Sequence, residues 1–157
     1  MYSNIHHTVT QVAKWDHGTM EPRDTFGEIP VGLITYTRYG YMSANMAATE
    51  TEWRTLNTRW PPKANDSDND FALVARHSMS YAGKFSINES LPFTQYQGQL
   101  LHGPMTVASM LYMVGATQRR NYLVREQDGE TYLVVSVPID NDSTARSEIV
   151  WRRVMKG

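Results

Sequence analysis

The sequence has no cysteine among its 157 residues. That excludes a disulfide scaffold, a thiol nucleophile and any cysteine-based metal site at once. It has no charge excess either. Fifteen basic and sixteen acidic residues leave a net charge of −1, which offers no electrostatic basis for binding nucleic acid or an anionic membrane. No apolar run approaches the ~20 residues that span a bilayer. A Walker A loop, a G-x-S-x-G elbow, an H-E-x-x-H pair and a dinucleotide fingerprint are all missing. Gly98, Gly103 and Gly115 stand alone. Hydrolytic, phosphoryl-transfer and nicotinamide-dependent mechanisms therefore have little support, and no cofactor and no metal are expected. The first residues, MYSNIHHTVTQ, lack a basic-then-apolar leader pattern. A cytoplasmic protein without membrane insertion is the expectation.

What the sequence does hold is aromatic and thioether bulk. Nine methionines, nine tyrosines and four tryptophans stand in a chain that is 41% hydrophobic. Such side chains fill irregular cores and also contact flat ligands well. The length fits one domain over residues 1–157. The densest signal is residues 29–46, IPVGLITYTRYGYMSANM. Residues 32–37 and 41–46 read as two strands, with Tyr39-Gly40 as the turn between them. A two-residue loop there sets Arg38 against Tyr41, Tyr36 against Ser43 and Ile34 against Asn45. Ile34, Tyr36, Tyr41, Ser43 and Asn45 then share one face, and Leu33, Thr35, Thr37, Met42, Ala44 and Met46 the other.

The remaining elements follow in order. Residues 7–15 (HTVTQVAKW) alternate as a first strand. His6-His7 is no metal pair, because neighbours on a strand point to opposite faces. Residues 16–28 read as a loop. Residues 50–59 read as a short helix with Trp53, Leu56 and Trp60 on one side, ended by Pro61-Pro62. Residues 63–70 read as a polar, mobile stretch, so the segment carrying the two tryptophans is either a lid or an excursion over the surface. Residues 70–80 read as a helix capped by Asp70 or Asn69. Residues 81–88, 93–101 and 105–112 read as strands, with His102-Gly103-Pro104 as a turn or bulge between the last two. Residues 118–125 and 131–137 form a hairpin around Asp128-Gly129. Arg120, Tyr122, Val124, Leu133, Val135 and Val137 make its more apolar face and are assigned to the interior. A polar turn at 140–145 precedes a last strand, residues 146–155, which pairs back to the first. The sum is an all-β protein: a single closed antiparallel barrel of about eight strands with one or two short helices.

Three segments carry a family resemblance. Pro30, Gly32, Ile34, Tyr36, Thr37, Gly40, Tyr41, Met42, Ser43 and Ala44 resemble the opening hairpin of the lipocalin-like domain family of small calycin-type barrels. Tyr81-Ala82-Gly83-Lys84-Phe85 resembles that family's strand after a helix, and Val150-Trp151-Arg152-Arg153-Val154 its closing strand. The resemblance implies a lipocalin-like barrel with a helix packed across one end. It also favours the opposite face of the 118–137 hairpin as the inner one. The Gly-x-Trp signature of many lipocalins is missing, since Ala13 precedes Trp15 by two. Some small barrels of this kind act as cyclases or isomerases in natural-product pathways.

A ring-closing or isomerising enzyme needs little beyond a cavity. It holds a flexible apolar substrate in a reactive shape, aims donors at a carbonyl and moves a proton. On that basis the candidate catalytic residues are His102, Tyr36, Tyr41 and Arg120. The candidate substrate-binding residues are Ser43, Asn45, His77, Met110, Tyr112, Tyr122 and Trp151. The leading expectation is a cofactor-independent cyclase or isomerase acting on a small hydrophobic, carbonyl-bearing intermediate. The alternatives are a carrier of a small hydrophobic molecule, and an interaction module whose barrel is filled by its own side chains. In the last case the methionines and the Trp53/Trp60 segment serve packing or homodimer contact.

Overall fold

A computed structural model describes residues 5–16, 19–22, 25–139 and 142–154. Where side chains are described, alternating residues of the strands bury one face and drive the chain into a meander. The strands are β1 (Ile5–Asp16), β2 (Thr19–Pro22), β3 (Val31–Tyr36), β4 (Tyr41–Ala47), β5 (Ser78–Ile87), β6 (Gln97–Ala108), β7 (Gln118–Gln127), β8 (Glu130–Ile139) and β9 (Asp142–Arg153). All pairings between them are antiparallel, and neighbours in sequence are neighbours in the sheet except that β1 pairs with both β2 and β3. β9 returns to pair with β1, His7 against Arg153 and Trp15 against Arg146. That seam closes eight strands into an antiparallel barrel, with β2 a short flap that pairs, among the described residues, with β1 alone. Closure leaves those eight strands no open edge along the seam.

The core is the inside of this barrel. Ile34, Met42, Ala44, Met46, Tyr81, Leu100, Met105, Met113, Leu133, Val135 and Trp151 are buried there. Each large apolar side chain among them contributes roughly 1.5–3 kcal/mol by leaving water. Helix α1 (Asp68–Arg76) joins β4 to β5 at the end of the barrel opposite the β3–β4 turn. It starts at Ser67, whose hydroxyl accepts the Asp70 N–H. None of its residues is fully buried.

Several local readings are corrected. The β3–β4 loop has three residues, 38–40, not two: Thr37 N–H bonds the Tyr41 carbonyl at 2.8 Å, and Gly40 takes φ +76°. Tyr36 therefore pairs with Met42, and Ile34 with Ala44. This one-residue shift turns every side chain of β4 over. Met42, Ala44 and Met46 point inward, while Tyr41, Ser43 and Asn45 lie on the outer face. Residues 50–59 form turns and not a helix. α1 begins two residues earlier than expected and ends at Arg76, so Ser78 to Ser80 belong to β5. The 16–28 loop contains β2. The segments read as 93–101 and 105–112 are one strand, β6, bulged where Gly103 and Pro104 are skipped in its pairing with β5. Its loop side, residues 93–96, is not strand, and beyond it Leu111–Met113 forms a 3-10 turn. β9 starts at Asp142, inside the expected turn. The Trp15 side chain, residues 140 and 141, and Met155 lie outside the described residues.

Candidate functional site

The interior carries a polar cluster set in an apolar wall. Tyr36 reaches across from β3 to His102 on β6, its hydroxyl 2.9 Å from His102 Nε2. The strand pattern dictates both directions: Tyr36 alternates with Ile34, and His102 with Leu100, both buried. His102 is 0% exposed. The bulge after it lets Gly83 of β5 lie flush against β6, where an added Cβ would meet the Pro104 carbonyl at 2.5 Å and Met105 Cα at 2.7 Å. Phe85 packs edge-on against the Tyr36 ring, with centroids 4.9 Å apart, and Tyr81 tilts against the His102 ring at 6.2 Å.

Burial controls the charge states. It pushes His102 down to about 3, with the Arg120 guanidinium as a second cause. It raises the Tyr36 phenol well above its ordinary value, helped by Tyr81 and opposed by Arg120. Tyr81 is raised by burial in the same way. At neutral pH the Tyr36–His102 pair is therefore an uncharged phenol beside an uncharged imidazole. Among the described residues His102 Nδ1 has no hydrogen-bond partner, nor has Nε1 of the buried Trp151, nor Nδ1 of His7. Unpartnered buried polar atoms are costly unless something else satisfies them. The pair can work in either tautomer. With the proton on Nε2, that N–H donates to the Tyr36 oxygen, the Tyr36 O–H is free to donate, and Nδ1 is a free base. With the proton on Nδ1, Tyr36 donates to Nε2 and the free atom is a donor.

Arg120 stands on β7 opposite Leu100, with Tyr122 two residues on. It faces inward like them, half-buried. Its guanidinium donates to the Gln118 side-chain oxygen and, at 2.8 Å, to the Arg119 carbonyl.

A family model described as a lipocalin-like domain matches residues 8–154. The chain belongs to that family. No curated protein and no solved structure matches it significantly.

In this lipocalin-like barrel, five of the expected inward residues are inside: Tyr36, His102, Tyr122 and Trp151 are buried and Arg120 is half-buried. The Tyr122 hydroxyl is already occupied, donating to the Thr94 carbonyl at 2.6 Å under the β5–β6 loop. Other expected residues do not line the interior. Tyr41 is 51% exposed on the outer face, beside Ser43 and Asn45. His77 caps α1, stacks on Trp53 with ring centroids 4.4 Å apart and hydrogen-bonds the Thr25 carbonyl. Met110 and Tyr112 sit in the loop beyond β6, and Tyr112 is 78% exposed. The lipocalin-like interior also holds Tyr81, Phe85 and His7, which the sequence reading left out of the site. Their alternation with Gly83 and with Val9 was the available signal. Among the described residues no group of three or more His, Cys, Asp or Glu could hold a metal, and no helix is long and apolar enough to cross a membrane.

Proposed function

We propose that this barrel holds a small, largely apolar, carbonyl-bearing molecule and rearranges it without a cofactor, as an isomerase or cyclase. The observation that carries the reading is the buried Tyr36–His102 pair with its unpartnered Nδ1. In the tautomer with Nε2–H, Tyr36 donates its O–H to the substrate carbonyl oxygen. His102 Nδ1 removes a proton from the adjacent carbon. The C–H electron pair moves into a C=C bond, and the carbonyl π pair moves onto oxygen. The proton is then returned at another carbon, or the enolate carbon adds to a second carbonyl of the same molecule, whose π pair moves onto its oxygen and takes the proton from the imidazolium. The imidazolium and the enolate form together in a low-dielectric site, so each stabilises the other although the resting imidazole is a weak base. The Arg120 charge, which acts on His102, opposes the imidazolium and favours the enolate.

A carrier is the second reading, and the same low pKa of His102 favours it. Native mass spectrometry of the purified chain, followed by identification of any molecule that co-purifies, decides between them. A bound precursor that wild type converts, with turnover reduced about 10²–10⁴-fold in His102→Gln and Tyr36→Phe, supports the enzyme. A molecule bound and returned unchanged supports the carrier. A chain that binds nothing from a broad extract has a barrel filled by its own side chains.

A further inference from the structure

We propose that Arg120 anchors a carboxylate, so that the occupant of the barrel is an apolar acid and not a neutral lipid. This rests on the reading that the barrel takes a small apolar molecule, and it narrows the class of that molecule.

Three arginines at the surface pair with carboxylates. Arg59 pairs with Asp66 at 3.0 Å, Arg146 with Glu148 at 3.0 Å and Arg152 with Glu130 at 3.3 Å. Arg120, turned toward the interior, has no carboxylate within ion-pair distance among the described residues. Among the described residues it bonds the Gln118 side-chain oxygen and the Arg119 carbonyl, both neutral acceptors. A guanidinium has five N–H donors, so most of its capacity is unspent. Burial lowers the Arg120 guanidinium from its ordinary value, and the phenols nearest it inside, Tyr81 and Tyr36, are themselves raised by burial and carry no charge at neutral pH. A partly desolvated cation with no counter-charge is costly, and this one is always protonated.

A second observation points to a ligand in the same space. His102 feels the Arg120 charge, is fully buried and has an unpartnered Nδ1. Trp151 Nε1, a donor only, is buried and unpartnered as well. The interior therefore offers more donors than acceptors. A carboxylate is acceptor-only, planar and matched to a guanidinium fork. One guanidinium flanked by phenols suits a single negative charge, which favours a carboxylate over a phosphate dianion. The apolar body of such an acid would lie along the wall built by Leu100, Met105, Leu133 and Val135.

The test is isothermal titration calorimetry of the full chain at pH 7.5 with decanoate and with decan-1-ol, repeated on Arg120→Gln and Arg120→Lys. Wild type should bind decanoate about tenfold or more tighter than decanol, as charge-assisted hydrogen bonds require. Arg120→Gln, which keeps donors but loses the charge, should lose that preference while binding decanol as before. Arg120→Lys should keep it in part. Equal binding of acid and alcohol by wild type, or a preference that survives Arg120→Gln, overturns the carboxylate anchor and leaves the binding reading standing. Failure of both ligands to bind overturns the binding reading, and the anchor with it. Decanol binding by Arg120→Gln reports an intact barrel, and should that variant not fold, the comparison of acid and alcohol on wild type and Arg120→Lys still decides.

Discussion

His7 and His102 lie on opposite walls, on β1 and β6, and burial keeps both neutral. His7 is pushed down to about 4 by burial, then by Arg153 and His6, and His102 to about 3 by burial, then by Arg120. An unfolded histidine takes up its proton near 6.5. Between that value and the folded ones, the unfolded chain binds more protons than the folded chain. Stability is thus full above about pH 7 and is lost as pH falls toward 4. Each histidine contributes about 1.4 kcal/mol per pH unit within its window. Urea midpoints measured from pH 8 to pH 4 should show this decline beginning near 6.5, and His7→Gln/His102→Gln should flatten it. A wild-type midpoint that stays constant down to pH 5 would contradict the assignment. The carboxylates act at lower pH: Glu50 is held below its ordinary value by backbone N–H groups, and Asp66 by the Lys63 N–H and Arg59.

At the scale of elements, the β5–β6 bulge sets the site. It depends on Gly83 having no side chain, because backbone atoms of Pro104 and Met105 occupy the space of a Cβ. Gly83→Ala should cost about 1–3 kcal/mol by overpacking, read from denaturant unfolding. It should also displace His102 from Tyr36, which NMR of the histidine ring nitrogens would register. Full stability in that variant would show that the strands separate freely there. This bulge was hard to read in advance. Gly-Pro is a breaker signal, so β6 looked like two strands, and a fully buried histidine looked like a turn residue. The β7–β8 hairpin was plain, because Asp128-Gly129 takes positive φ at both residues, as a two-residue loop demands. The β3–β4 hairpin was recognised but misregistered. Its Gly40 marks the reversal without giving the loop length, and the resulting slip placed Tyr41, Ser43 and Asn45 inside. The register became visible only once Met42, Ala44 and Met46 had a core to bury into. The excursion between β4 and α1 carries no periodicity that tertiary contact supports: Trp53 is held by His77, while Trp60 remains at the surface.

At the scale of the molecule, the architecture was legible because closure needs only a count of alternating strands and a last one able to meet the first. The site was half legible, since strands predict which residues alternate but not which opposite walls touch. Tyr36 and His102 are 66 residues apart in sequence and meet only inside the finished barrel. Removing residues 1–16 should therefore destroy more than one strand. β3 and β9 would both lose their partner, and unpaired edges invite aggregation. Size-exclusion chromatography should find aggregate, and a monomer with native near-UV circular dichroism would refute the need for the seam.

The seam also sets an order in time. His7 is made long before its partner Arg153. While the chain leaves the ribosome, β1 can pair with β3, but the ring stays open until β9 emerges. Contacts of such long sequence separation form slowly and leave apolar surface uncovered meanwhile. The interior and its polar pair are enclosed in the same late event, so a molecule able to bind there could meet its site only once β9 is in place.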